Sequence, residues 1–184
     1  MIRLTFDGYD VVLAHDSGYQ PGVKNNFKYD LVYHDEDATI YESRSYAVKV
    51  FKGEELYKSA VICAFATAVG IHKNSAVIVD EDILVCCADK VSSLSLPDLK
   101  LNWMRQIDEA CCFQIFKNEA GIFVHGELSA SRIDKSGNIV WSQTFADILV
   151  TLNGRKSFIM HDDFIEIEDW AHNKYKLNFD GNFI

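Results

Sequence analysis

The chain has 184 residues, of which 48% are hydrophobic, 24% are charged and only two are proline. This composition excludes a disordered or collagen-like chain and fits one acidic, folded domain over residues 1–184, which needs no metal or disulfide to form a core. The formal net charge of −9 argues against a nucleic-acid partner, and no apolar run is long enough for a membrane span, so we expect neither partner.

The first 45 residues predict an irregular N-terminal strand and loop region. The stretch HDSGYQPGVKNNFKYD, residues 15–30, is polar and rich in turn-forming residues, so a loop or an edge excursion is expected there. Hairpin repeats are predicted from residue 46 to residue 184.

Four similar stretches recur in residues 46–184, each with alternating apolar residues on both sides of a short turn. They are KVFKGEELYKS (49–59), SLSLPDLKLNW (93–103), RIDKSGNIVWS (132–142) and KLNFDGNFI (176–184). Such a pattern is typical of two antiparallel strands joined by a tight loop. The turn markers Gly53, Asp98, Gly137 and Gly181 are 45, 39 and 44 residues apart. This spacing fits a repeat of four short strands, as in one blade of a propeller.

Further strands are predicted between these markers, at residues 75–80, 82–88, 111–117, 121–129 and 146–152. The prediction is therefore an all-β, antiparallel domain of about four propeller-like hairpin repeats. A regular spacing of hairpins alone leaves a two-sheet β-sandwich and a curled meander open as alternatives.

The stretch IDKSGNIVWS resembles one known family of repeats. It is similar to the repeats of quinoprotein-like (PQQ-like) β-propellers, in which Asp-x-x-Gly-x-x-x-Trp joins the outer strands of a blade; here these are Asp134, Gly137 and Trp141. The resemblance implies blade geometry and no quinone cofactor. The longer run HGELSASRIDKSGNIVWSQTFADILV also resembles uncharacterised small bacterial proteins, some of which are candidate immunity proteins of polymorphic toxin systems.

The five cysteines are odd in number and show no C-x-x-C spacing, so neither the usual zinc signature nor a thioredoxin motif is present. Four of them form the adjacent pairs Cys86-Cys87 and Cys111-Cys112. Neighbouring strand residues point to opposite faces, so one cysteine of each pair is expected to face a core. Free cysteines of this kind predict a cytoplasmic location.

The sharpest candidate for chemistry is the pair His125 and Glu127. On a strand these residues would leave the same face and could share a proton or a metal ion, with Gly126 marking a bulge or a close approach. The alternative is a purely structural role in a half-buried sheet. The acidic stretches 34–38, 80–82, 161–163 and 166–169 lack the spacing of a calcium loop, so we expect no metal and no cofactor.

No nucleophile elbow, P-loop or dinucleotide-binding motif is present. The tryptophans Trp103, Trp141 and Trp170 are predicted to pack between sheets. The leading hypothesis is a non-catalytic bacterial module that binds a protein. It would be an immunity-type protein that neutralises a toxin, with a basic partner that suits the acidic surface. The alternative is an enzyme or metal-dependent sensor that uses His125 and Glu127.

Overall fold

The computed structural model describes residues 1–23, 27–34, 43–65, 70–151 and 156–184. These ranges contain sixteen strands and no helix. The strands are β1 (Ile2–Phe6), β2 (Tyr9–His15), β3 (Leu31–His34), β4 (Ser43–Lys52), β5 (Glu55–Phe65), β6 (Ala76–Val79), β7 (Asp82–Cys87), β8 (Lys90–Ser95), β9 (Leu101–Gln106), β10 (Cys112–Asn118), β11 (Gly121–Gly126), β12 (Ser129–Ile133), β13 (Ile139–Thr144), β14 (Phe158–Met160), β15 (Ile165–Glu168) and β16 (Lys174–Leu177).

The strands form four separate sheets in chain order. Sheet A has the order β1-β2-β4-β5-β3, sheet B has β6-β7-β8-β9, sheet C has β10-β11-β12-β13, and sheet D has β14-β15-β16. All neighbours pair antiparallel except β3 and β5, which are parallel. In sheet D an isolated bridge between Leu177 and Phe183 continues the sheet beyond β16.

The four predicted hairpins occupy equivalent places in these sheets. Gly53 lies in the turn from β4 to β5, Asp98 lies between β8 and β9, and Gly137 lies between β12 and β13. Gly181 lies in the turn that leads from β16 to the bridge at Phe183. Each marker therefore lies in the last turn of a sheet. The four-repeat prediction is confirmed, and a two-sheet sandwich and a single curled meander are excluded.

Two stretches differ from their predictions. In the region 1–45, treated as irregular, β1 and β2 form a regular hairpin that pairs with β4, so sheet A begins at residue 2. The strand predicted at 146–152 is wrong, because residues 146–151 are bends and loop. Their backbone bonds connect sheets instead: the Leu149 N–H donates to the Glu127 carbonyl, and the Ile148 carbonyl accepts from the Trp170 N–H.

The core lies between successive sheets, and single strands serve two cores at once. In β7, Ile83, Val85 and Cys87 face sheet A, while Leu84 and Cys86 face sheet C. This explains the continuous apolar run of β7 and the adjacent cysteines, since both faces of the strand are covered. A third cluster joins sheets C and D. Within the described ranges, no core cluster joins sheet D to sheet A.

The two outer faces of this stack are closed in different ways. The outer face of sheet A, with Val61 and Cys63, packs under Tyr19 and Tyr29 from the loop after β2. The outer face of sheet D carries charged side chains that interact with one another, including the pair of His172 with Glu168. The described chain contains no helix with the length and hydrophobicity that a membrane crossing requires.

Two tryptophans each join neighbouring sheets, because each packs on a turn glycine of the following sheet. The Trp103 indole N–H donates to the Lys135 carbonyl at 2.9 Å, and its ring lies against Gly137. Trp141 repeats the arrangement one sheet later, with the Phe179 carbonyl and Gly181. Packing between sheets is thus confirmed for these two residues. It is wrong for Trp170, whose side chain is 43% exposed.

The turn glycine at 137 should be far less replaceable than the one at 53. Both have positive φ, 79° and 63°, but a Cβ at Gly137 would lie 2.7 Å from Trp103 Cε3, whereas a Cβ at Gly53 would meet nothing within 4 Å. We expect Gly53→Ala to cost about 1 kcal/mol through the backbone alone and Gly137→Ala to cost about 2 kcal/mol or more. Urea denaturation checks this, and equal losses would contradict the Trp103 contact.

Candidate functional site

A cleft of about 610 Å³ lies where the first strands of sheets C and D meet the segment before β6. Ligand sites in proteins are commonly about 300–1,000 Å³, so the cleft is large enough for one. It is lined by four stretches of chain and one residue of β11. They are His72–Asn74, Phe113 with Gln114 and Phe116, His125, and two parts of the connection into sheet D, Leu149–Thr151 and Lys156–Met160.

A row of rings forms the floor of the cleft. Phe113 contacts His72 at a centroid distance of 6.3 Å and His125 at 5.4 Å, both edge-on. His125 stacks on Phe158 at 5.1 Å with an interplanar angle of 23°, and Phe158 stacks on Phe116 at the same distance. The row therefore crosses from sheet C to sheet D beneath the cleft, with Phe113 and Phe116 half-buried and with His125 and Phe158 buried.

His125 occupies the centre of this row and is buried, with only 4% of its surface exposed. Its Nε2 lies 3.0 Å from the Leu149 carbonyl oxygen and 3.2 Å from Ser157 Oγ, and its Nδ1 lies 3.2 Å from Gln114 Oε1. A carbonyl oxygen only accepts, so we assign the ring hydrogen to Nε2 and a lone pair to Nδ1. We assign the Gln114 amide in the flipped orientation, in which its NH2 group takes the place of Oε1 and donates to Nδ1. Both ring nitrogens are therefore engaged within the protein.

This arrangement does not make a serine nucleophile. A general base must accept the serine proton through an unprotonated nitrogen, whereas the nitrogen beside Ser157 Oγ carries the hydrogen. Burial lowers the pKa of His125 from 6.5 to about 4, against the smaller opposite effect of the Leu149 carbonyl. The ring is therefore neutral near pH 7 and acts as part of the cleft floor.

The lowered pKa predicts a pH dependence with a definite sign. Between pH 6.5 and about 4 the unfolded chain binds a proton at His125 that the native protein does not, so the free energy of unfolding should fall as the pH falls through this window. The ring resonances of His125 should show no titration between pH 8 and pH 5.5. An NMR titration with an inflection near pH 6.5 would contradict the buried, neutral ring.

Glu127 does not join His125. Strand β11 ends at Gly126, so the alternation that would align the two side chains stops before Glu127. The Glu127 N–H donates to the Cys111 carbonyl. Its carboxylate adds to the effect of burial, which raises the pKa of the Cys111 thiol to about 12. Among the described residues, no three His, Cys, Asp or Glu side chains are grouped so that they could hold a metal ion.

The cysteines are equally unsuited to chemistry at neutral pH. All five are buried, and none forms a disulfide. Burial raises the pKa values of Cys86, Cys111 and Cys112, so the thiol form predominates at pH 7. Cys86, Cys87 and Cys112 act as small apolar side chains between the sheets.

Comparisons with known proteins add information on the fold. No family model and no curated protein matches this sequence. The crystal structure of BamB from Moraxella catarrhalis is similar, with a TM-score of 0.53 and 14% identity over 94% of this chain. This chain spans about half of that protein, since the match covers 51% of it.

Two other solved structures resemble the chain less well. One is the Neurospora crassa Pan2 WD40 domain, with a TM-score of 0.48 and 14% identity; the match covers 60% of this chain and 36% of that domain. The other is the AfRom2 CNH domain, with a TM-score of 0.47 and 12% identity; the match covers 76% of this chain and 46% of that domain. At these identities a likeness bears on the fold alone. The chain has an all-β, propeller-like fold built from four antiparallel repeats.

Proposed function

We propose that this protein is a non-catalytic module that binds a partner protein in the cleft between sheets C and D. The observation that carries the proposal is the floor of the cleft, where a row of aromatic rings surrounds a histidine whose two nitrogens are both engaged. Such a surface gains free energy by covering an apolar group, and it offers no free general base. The five cysteines, none of which forms a disulfide, support a cytoplasmic location.

The alternative of an enzyme or sensor based on His125 and Glu127 has less support. The two side chains have different partners, and the neutral ring of His125 is held by Gln114, Leu149 and Ser157. An immunity-type role would be one form of protein binding, and its support is the sequence resemblance alone.

The proposal is tested by selecting random dodecapeptides on the protein and measuring their binding by fluorescence anisotropy. Val150 lines the cleft, so Val150→Trp should fill part of it and weaken binding at least tenfold, about 1.4 kcal/mol. The matched control is Val140→Trp, because Val140 is 56% exposed on β13 and does not line the cleft. Circular dichroism checks the fold of both variants.

Two outcomes would overturn the proposal. One is that no peptide is selected from the pool. The other is that the selected peptides bind Val150→Trp as well as they bind the parent, which would place the binding surface elsewhere.

A further inference from the structure

The charged residues of the cleft are all of one sign. Although the chain has a net charge of −9, none of the described residues that line the cleft is Asp or Glu. Lys73 and Lys156 are both exposed at its rim. Lys73 follows His72, at one end of the row of rings, and Lys156 lies two residues before Phe158, in the other half. The apolar floor is thus flanked by two ammonium groups.

These two lysines differ from the cations that form ion pairs within the described ranges. Lys90 pairs with Asp89, Lys135 with Asp80, and Lys174 with Glu168. Within the described ranges, neither Lys73 nor Lys156 lies within ion-pair distance of a carboxylate. Unneutralised cations of this kind attract an anion that reaches the rim.

The floor has a complementary property. The polar atoms of the His125 ring are already hydrogen-bonded to Gln114, Leu149 and Ser157. A ligand group that lies against the rings therefore meets few free polar partners and is favoured if it is apolar. The cleft as a whole suits a ligand with an apolar body and a carboxylate at its edge.

We propose that the cleft takes a segment of the partner protein in which a large apolar side chain is next to Asp or Glu. This inference rests on the proposed function and specifies the ligand of the same site. It concerns the bound segment only. The net charge of −9 acts on the approach of the whole partner, which can be basic overall and still carry such a segment.

The test uses the peptides selected on the parent protein. They should be enriched in Asp and Glu beside Phe, Tyr, Trp, Leu or Met, and their binding should weaken as salt is added. The double variant Lys73→Glu/Lys156→Glu should lower their affinity at least tenfold. The matched control is Lys28→Glu/Lys100→Glu, which changes the net charge equally at two exposed lysines outside the cleft and should change the affinity less than about threefold.

The outcomes separate this inference from the proposed function. If binding is lost in Val150→Trp but is unaffected by charge reversal at Lys73 and Lys156, the cleft binds protein, but the proposal that the bound segment is acidic is wrong. If both double variants lose affinity equally, the effect is that of net charge, and the inference is also wrong. Free N-acetylphenylalanine is the probe for a small-molecule site. If it displaces the selected peptides and binds with the same affinity as they do, the proposal that the ligand is a protein segment is wrong.

Discussion

Replacement of Asp108 by alanine should lower the free energy of unfolding by about 3–5 kcal/mol, as expected when a buried hydrogen-bond network loses its acceptor. The carboxylate is 3% exposed. One oxygen accepts from the backbone N–H groups of Ala110 and Cys111, and the other accepts from those of Leu128 and Ser129 and from the Ser129 hydroxyl at 2.7 Å. Asp108 thus joins the entry into sheet C to the turn between β11 and β12.

Asp98→Ala is the control for this variant. Asp98 is exposed and accepts one hydrogen bond, from the Tyr57 hydroxyl, so its loss should cost no more than about 1 kcal/mol. Urea denaturation of both variants gives the two free energies. Equal losses of the free energy of unfolding would show that the Asp108 hydrogen bonds stabilise the protein no more than the exposed hydrogen bond of Asp98 does. Gly126 lies against the Asp108 carboxylate, so Gly126→Ala should also destabilise the protein.

Trp141→Ala should cost about 3–5 kcal/mol, because it removes a large side chain from between sheets C and D and leaves a cavity. The indole packs near Phe123, with ring centroids 6.1 Å apart, and against Gly181. Its N–H donates to the Phe179 carbonyl at 3.0 Å. The substitution therefore also removes one of the hydrogen bonds that hold the turn 178–182 against sheet C, beside those donated by Gln143 and Arg132.

Trp170→Ala serves as the matched control, since the Trp170 side chain is 43% exposed. Loss of the Trp170 side chain should lower the melting temperature much less than loss of the Trp141 side chain. Thermal unfolding followed by circular dichroism compares the two. Similar melting temperatures for both variants would contradict the contrast between a tryptophan wedged between sheets and one at the surface.

Much of the fold could be predicted from local sequence patterns. The turn DKSGN was predictable because Asp134 accepts from the N–H groups of Ser136 and Asn138, and Gly137 adopts positive φ. The loop at 146–151 was not predictable, because its apolar residues resemble a strand while their role is set by the sheets on either side. Leu149 is fully buried between sheets C and D although its backbone pairs with no strand.

Only part of the candidate site could be predicted from the sequence. His125 was identified, but its partners lie 11, 24 and 32 residues away, at Gln114, Leu149 and Ser157. The first of these had a signal, because pairing the predicted strands 111–117 and 121–129 across a tight turn brings Gln114 opposite His125. The contacts with Leu149 and Ser157 depend on how sheet D packs on sheet C, which no local pattern encodes.

The most direct measurement of the central claim is an NMR map of where a selected peptide binds. The account predicts that the ring resonances of Phe113, His125 and Phe158 shift on titration, while the amides of the outer strands β9 and β13 stay unchanged. Shifts confined to β9 and β13, with the rings of the cleft unperturbed, would show that the protein binds through its outer strands and would contradict the account.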